Sequence, residues 1–349
     1  MNSTRARKWI LLVKPHATGD VLLTTPAIRA LRHLYGSSTI HYLTGESAAA
    51  MLEGNPHIDK VLSIPDDLFF KRKIMRIVFL LSRLRSTRYD MLILFQSNRI
   101  IQQMFRLIKA RTYAGFDRGE SAHYLNVVAP WRPDRNQYVA ADFLSLVNNL
   151  GSKSDDVRLE FNISKSDRDW AEEFGRIHGS NTRGLVVMAP GGGINSRDTV
   201  LQKVWPASRF RILLDRLHAQ GYRVAVVGAE SDRRTIASIL DHPQCVDLVG
   251  RTPIGRLAAL IAAARVTITN DSMPAHLAIS QSAPVVILFG PSRWQSLLPP
   301  AGRYRVVAAR SACAPCYDNE PFPGCDRMEC IESISEEDVW EAIRAIVKP

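Results

Sequence analysis

Three things are scarce in this sequence: cysteine outside one short stretch, acidic residues between Leu68 and Arg88, and apolar runs of any length. No run approaches the roughly 18 residues that a membrane-spanning helix needs. The run nearest the start, Trp9 to Val13, is too short for a secretory leader, so neither leader nor span is expected. Only five cysteines occur in 349 residues, and four of them lie between Cys313 and Cys330. A secreted disulfide scaffold spreads its cysteines through a short chain, so a reducing cytoplasm is the better expectation. The absence of Asp and Glu from Leu68 to Arg88 leaves Lys71, Arg72, Lys73, Arg76, Arg83, Arg85 and Arg88 interleaved with Phe69, Phe70, Ile74, Ile77, Val78, Leu80, Leu81 and Leu84. That pattern predicts a basic amphipathic helix, suited to an anionic inner-membrane surface or a phosphorylated substrate; a solvated cationic face is the plainer alternative.

The rest of the composition is that of a globular protein, 46% hydrophobic and 23% charged. At this length one core is seldom enough, and two domains, 1–156 and 157–349, are expected. Nearly all of the net charge of +11 is in the first: residues 1–160 hold 23 Lys and Arg against 14 Asp and Glu, the remainder 22 against 20.

Short β-branched runs alternate with helical patterns, the signature of βαβ units and parallel sheets. Strands are predicted at Trp9 to Lys14, Thr39 to Leu43, Lys60 to Ile64 and Met91 to Phe95. Helices are predicted near 20–35, 68–86 and 98–109, Gly115 to Arg135 reads as irregular, and a helix near Val139 to Leu150 is closed by Gly151. Ser152 to Asp156 reads as a linker. The pattern then restarts with strands at Leu185 to Ala189, Arg223 to Val227, Val266 to Thr269 and Val285 to Phe289. A last helix, Glu336 to Val347, is expected to pack back on the first domain. The halves share no sequence repeat.

In such sheets ligands bind beyond the carboxyl ends of the strands. Three turns there carry candidate chemistry. Lys14 to Asp20 follows the first strand, with the small Thr18-Gly19 pair admitting a ligand and Asp20 placed either as a proton acceptor or merely as a helix cap. Pro190, Gly191, Gly192 and Gly193 open the second half, followed by Lys203-Val204-Trp205-Pro206. Glycines permit close approach of a phosphate, and a lysine can offset charge on a leaving diphosphate. Neither a Walker A loop nor a dinucleotide fingerprint is present. Asn270, Asp271, Ser272, Met273, Pro274, Ala275 and His276 begin a helix whose first amides form an anion site. Asp167-Arg168-Asp169, by contrast, opens a helix away from any strand end and reads as helix-terminal charge.

In order and spacing these turns, with Leu277-Ala278 and Phe289-Gly290-Pro291, resemble glycosyltransferase family 9, the ADP-heptose:lipopolysaccharide heptosyltransferases, over almost the whole chain. Met273 and Ala275 depart from it, standing where members usually carry Gly and Met. The resemblance implies an α/β GT-B fold: two doubly wound Rossmann-like domains facing a cleft, acceptor on the first and nucleotide sugar on the second. It implies inverting transfer of a heptose or related sugar from an ADP-sugar to a lipid-linked lipopolysaccharide core acceptor, without a catalytic metal or other required cofactor. Asp20 would be the base and Lys203 would stabilise departing ADP. Asp271, Ser272, Met273 and His276 would hold the diphosphate, bordered by Pro190, Gly191 and Gly192 and by Thr18 and Gly19. Glu230 or Asp232 would bind ribose. Lys14 and Arg118 are candidate acceptor contacts. The expected place is the cytoplasm, peripheral to the inner face of the membrane. Another sugar-nucleotide enzyme of the same architecture, a UDP-sugar transferase or epimerase, is one alternative. A non-catalytic binder of nucleic acid or of an anionic surface is another, although the α/β pattern is that of an enzyme and no nucleic-acid partner is expected. Cys313, Cys316, Cys325 and Cys330 are candidates for a structural zinc or iron–sulfur cluster, with unliganded thiols as the alternative.

Overall fold

The computed structural model describes residues 7–68, 74–118, 123–132, 134–179, 184–193, 200–317, 322 and 324–347. The chain divides into two compact units, Met1–Glu160 and Phe161–Pro349.

The first unit holds six parallel strands: β1 (Trp9–Val13), β2 (Thr39–Gly45), β3 (Lys60–Ile64), β4 (Met91–Leu94), β5 (Thr112–Asp117) and β6 (Val127–Pro130), in the order β3-β2-β1-β4-β5-β6. The second holds β7 (Leu185–Ala189), β8 (Arg223–Val226), β9 (Cys245–Asp247), β10 (Val266–Asn270), β11 (Val285–Phe289) and β12 (Tyr304–Ala308), in the order β12-β11-β10-β7-β8-β9. Read from its own first strand, this is the same doubly wound order as in the first unit. The central strands β4, β7, β10 and β11 are buried along their whole length; β4, β7 and β11 are continuous apolar runs, as expected when helices cover both faces. In each unit the order reverses beside the first strand, between β1 and β4 and between β7 and β10, and that switch point opens the crevice in which such sheets take ligands.

Several elements differ from the sequence expectation. The helix expected over 20–35 is two, Thr18–Leu23 and Thr25–Leu34. Pro26 supplies no amide to continue the ladder, and the hydroxyls of Thr24 and Thr25 donate to the carbonyls of Val21 and Leu22, both at 2.7 Å. The stretch read as irregular contains β6 and the end of β5. The segment read as a linker is tied to the first unit, where Arg29 pairs with Asp156 at 3.1 Å and with Glu160 at 3.3 Å. The last helix, Glu336–Ile346, expected against the first domain, buries Val339 and Ile343 in the second unit's own core, with Trp205, Leu217, Val266 and Val286. The triplet at 167–169 lies in the first turns of the helix Lys165–Gly179, where Asp169 pairs with Lys165 at 2.7 Å.

Candidate functional site

At the switch point of the first unit, β1 is followed by Lys14, itself buried. The chain then turns through Ala17, whose φ of 69° is left-handed, an unusual conformation for a residue with a Cβ. Ala17 holds the cap position of Thr18–Leu23, and its carbonyl accepts from the Val21 amide at 3.0 Å. Asp20 is therefore inside the first turn rather than at the cap. Its carboxylate meets Lys14 Nζ at 2.9 Å, and its side chain is 32% exposed.

The neighbouring strand ends add polar groups that the sequence reading missed. His16 Nε2 and Gln96 Nε2 are 3.2 Å apart, which brings the turns after β1 and β4 together. Gln102 donates to the carbonyls of Gln96 and Phe116 at 2.6 and 2.9 Å and accepts from Tyr124 at 2.6 Å. Arg118, just past β5, donates to Ser97 Oγ at 3.2 Å. Lys14, Asp20 and Arg118 thus all lie past the carboxyl ends of β1, β4 and β5. Burial of His16, Gln96 and Gln102 was the property that sequence could not supply.

At the second switch point one wholly buried side chain organises the site. Asn270, closing β10, donates to the carbonyls of Pro190 and Gly191 at 2.8 and 3.0 Å and accepts from the Trp205 amide at 3.2 Å. It joins the glycine turn after β7 to the turn that carries Lys203. Gly192 and Gly193 have φ of 107° and 80°, which explains glycine at both positions. Gly191 is required for space, since a Cβ there would collide with the Asp232 carboxylate. Asp232 accepts from the amides of Gly192 at 3.3 Å and Ala229 at 2.9 Å, so it clamps the turn. Glu230 is more exposed and pairs with Arg233 at 2.7 Å.

Trp205 is wholly buried, donates from its indole to the Ile334 carbonyl at 3.0 Å and stacks edge-on against Phe210. It anchors the short turn Leu201–Lys203. Lys203 Nζ lies 2.7 Å from Asp271 Oδ2, with side chains 15% and 6% exposed. Burial alone would push the Asp271 carboxyl up; Lys203, then Ser292 and His276, bring it below the ordinary carboxylate value. Ser272 stands at the cap of the helix Met273–Ser280, but its hydroxyl meets Thr269 Oγ1 at 3.2 Å and the Asn270 carbonyl at 3.3 Å and caps no amide. The start of that helix keeps its anion-binding character. His276 is buried in its first turns. The arrangement puts a cation, a helix start and a close-packed glycine turn around one strand end, which is chemistry for a phosphate-bearing ligand.

The four clustered cysteines differ in exposure. Cys330 is buried in the core while Cys313, Cys316 and Cys325 are exposed, and no group of three or more His, Cys, Asp or Glu suited to a metal ion occurs among the described residues.

The profile of glycosyltransferase family 9 (heptosyltransferase) matches residues 77–324, most of the chain. The chain belongs to glycosyltransferase family 9. This family 9 enzyme is 28% identical over 281 residues to lipopolysaccharide heptosyltransferase 3 of Escherichia coli, covering 78% of this chain and 80% of that one. Among solved structures it is similar to a family 9 glycosyltransferase of Veillonella parvula, with a TM-score of 0.82, 24% identity and 97% of each chain covered. It is also similar to the E. coli ADP-heptose lipopolysaccharide heptosyltransferase II, with a TM-score of 0.76, 21% identity, and 97% and 98% covered. The two doubly wound units are those of a GT-B glycosyltransferase.

Proposed function

We propose that the protein transfers a heptose from ADP-heptose to a sugar hydroxyl of a lipid-linked lipopolysaccharide core acceptor, with inversion at the anomeric carbon. The observation that carries this reading is the Lys203–Asp271 pair beside the glycine turn and the helix start of Met273–Ser280. Transfer breaks the bond from the anomeric carbon to the β-phosphate oxygen and leaves the electron pair on ADP. Lys203 and the amides that follow Ser272 meet that charge as it forms. A carboxylate repels a diphosphate, so Asp271 acts by holding Lys203. Ser272, Met273 and His276 line the diphosphate; Pro190, Gly191 and Gly192 let it approach the backbone, which Asp232 keeps in shape. Glu230, in the loop past β8, takes the ribose hydroxyls.

The first unit supplies the acceptor side. Asp20 takes the proton of the attacking hydroxyl while Lys14 fixes the direction of its carboxylate. Thr18 and Gly19 leave room beside it, and Arg118 contacts acidic groups of the acceptor. No step passes through a metal.

The same reading places the enzyme in the cytoplasm, at the inner face of the membrane. The helix Ile74–Arg85 buries Ile77, Leu81 and Leu84 and leaves Met75 and Phe79 82% and 70% exposed, among the exposed Arg76, Arg83 and Arg85. Apolar side chains in a cationic setting suit an anionic bilayer surface. Lys71, Arg72 and Lys73 of the expected basic helix lie outside the described residues.

Support for the donor comes from the two E. coli relatives named above, a lipopolysaccharide heptosyltransferase and an ADP-heptose lipopolysaccharide heptosyltransferase. A thermal-shift panel of ADP-, UDP-, GDP- and CDP-sugars tests it. ADP-heptose should raise the melting temperature most, because a ligand of the native state stabilises by mass action. A larger shift with a UDP-sugar would reassign the donor.

A further inference from the structure

Lys203 has a second partner besides Asp271. The Tyr317 ring centroid lies 4.7 Å from Nζ, within the ~6 Å reach of a cation–π contact. A lysine held by one ion pair keeps several rotamers of its four-carbon stem; a ring face as second partner removes many of them. The two partners also differ in kind. A carboxylate opposes the ammonium's charge, whereas a neutral ring orients it and leaves its charge available to an arriving phosphate.

Tyr317 reaches Lys203 on the segment that carries the cysteines, and that segment is fastened to the site on both sides. The amides of Cys316 and Tyr317 both donate to the Pro291 carbonyl at 2.9 Å, and Tyr317 forms a parallel bridge with Ser292. Phe322 packs edge-on against the Tyr317 ring at 5.6 Å between centroids. Further along, Gln202, adjacent to Lys203, donates to the Cys325 carbonyl, and Cys330 is buried in the same core as Trp205.

We infer that Tyr317 is a positioning residue for Lys203, its ring presented by the contacts of Cys316 and Tyr317 with Pro291 and Ser292. This rests on Lys203 being the group that stabilises the leaving diphosphate. The ring holds the ammonium where negative charge develops, so its loss is felt in turnover rather than in donor affinity.

The test is a double-mutant cycle with the donor that the wild-type enzyme turns over, ADP-heptose on the reading above. Turnover and donor KM are measured for Tyr317→Phe, Tyr317→Leu, Lys203→Ala and the Lys203→Ala/Tyr317→Leu pair. Tyr317→Phe keeps the ring and should stay within about 2-fold of wild type. Tyr317→Leu should lose about 3- to 30-fold in kcat with little change in KM. Adding it to Lys203→Ala should cost nothing more, since the group it acts through is gone. Equal losses for phenylalanine and leucine, or an undiminished loss in the Lys203→Ala background, would overturn the inference. Wild-type turnover by Lys203→Ala would instead overturn the role of Lys203 beneath it. Tyr317→Met, which fills similar space with a flexible chain, gives the same comparison should the leucine enzyme fail to fold.

Discussion

Lys14 and Asp20, six residues apart, meet at 2.9 Å past the end of β1, and Lys203 and Asp271 meet at 2.7 Å past the ends of β7 and β10. Each unit thus holds a lysine–aspartate pair at its own switch point, and burial sets the two apart. Asp20 is 32% exposed and its lysine is buried; Asp271 is 6% exposed and its lysine more open. A carboxylate that must reach a substrate has to be the open partner, and one that supports a cation can be the closed one. This difference in exposure fits the proposed roles, Asp20 as the base and Lys203 as the leaving-group cation.

Replacing Asp20 by Asn keeps a polar partner for Lys14 but removes the proton acceptor. Transfer should fall by about 10²- to 10⁴-fold, the usual contribution of a positioned general base. ADP affinity, measured by calorimetry, should be unchanged. Full turnover by Asp20→Asn would remove Asp20 from the reaction.

Lys203→Ala should lower kcat by about 10²- to 10³-fold, the scale seen when one charge-stabilising donor is removed. It also leaves Asp271 buried without its cation, so the melting temperature should drop by several degrees, about 1–3 kcal/mol. Kinetics at a temperature well below both transitions separates the two effects. A change confined to acceptor KM would contradict the assignment.

Asp142 predicts a pH dependence of stability unrelated to catalysis. It is buried on the helix Val139–Asn148, its Oδ1 accepts from Gln137 at 3.0 Å, and burial pushes its pKa from 3.8 up to about 7, against the pull of Arg132. The folded state holds this proton more tightly than the unfolded state does. Stability contributed by the neutral carboxyl is full below about pH 4 and is lost as pH rises towards 7. Asp142→Asn should therefore be more stable than wild type at pH 8, by about 1–2 kcal/mol, with the gap closing towards pH 4. Melting curves across that range check it; a gap independent of pH would mean that Asp142 does not titrate in this window.

Met75→Ser/Phe79→Ser should weaken co-sedimentation with vesicles rich in phosphatidylglycerol by several-fold, because two exposed apolar side chains no longer enter the interface. Transfer to a soluble, delipidated acceptor should not change. Equal vesicle binding by the variant and wild type would remove this helix from membrane attachment.

Much of the fold could be read from periodicity, because the central strands are continuous apolar runs that only a covered parallel sheet accommodates. Strands β5, β6, β9 and β12 could not. β9 is three residues long and half-buried, and β5 has Gly115 in its interior. The three turns were legible because Gly, Pro, Asp and Lys at strand ends are residue types with a chemical reason to be there. What each side chain touches was not. Asp20 could equally have been a cap until Ala17 took that position, and the contacts of the Asp232 carboxylate with the amides of Gly192 and Ala229 leave no trace in the local sequence. Asn270 and Tyr317 contact partners that lie 65 to 114 residues away (Pro190, Trp205 and Lys203), a separation that no local pattern records. The core that the final helix joins was illegible for the same reason: an amphipathic pattern shows that a helix has a buried face and leaves open what that face meets.

The central claim is tested most directly by incubating the enzyme with ADP-heptose and a purified lipopolysaccharide core acceptor, and measuring ADP release together with the acceptor's mass. Stoichiometric ADP and a one-heptose gain in mass are expected, both lost with Asp20→Asn. ADP-heptose left intact, while a UDP-sugar is consumed under the same conditions, would contradict the claim.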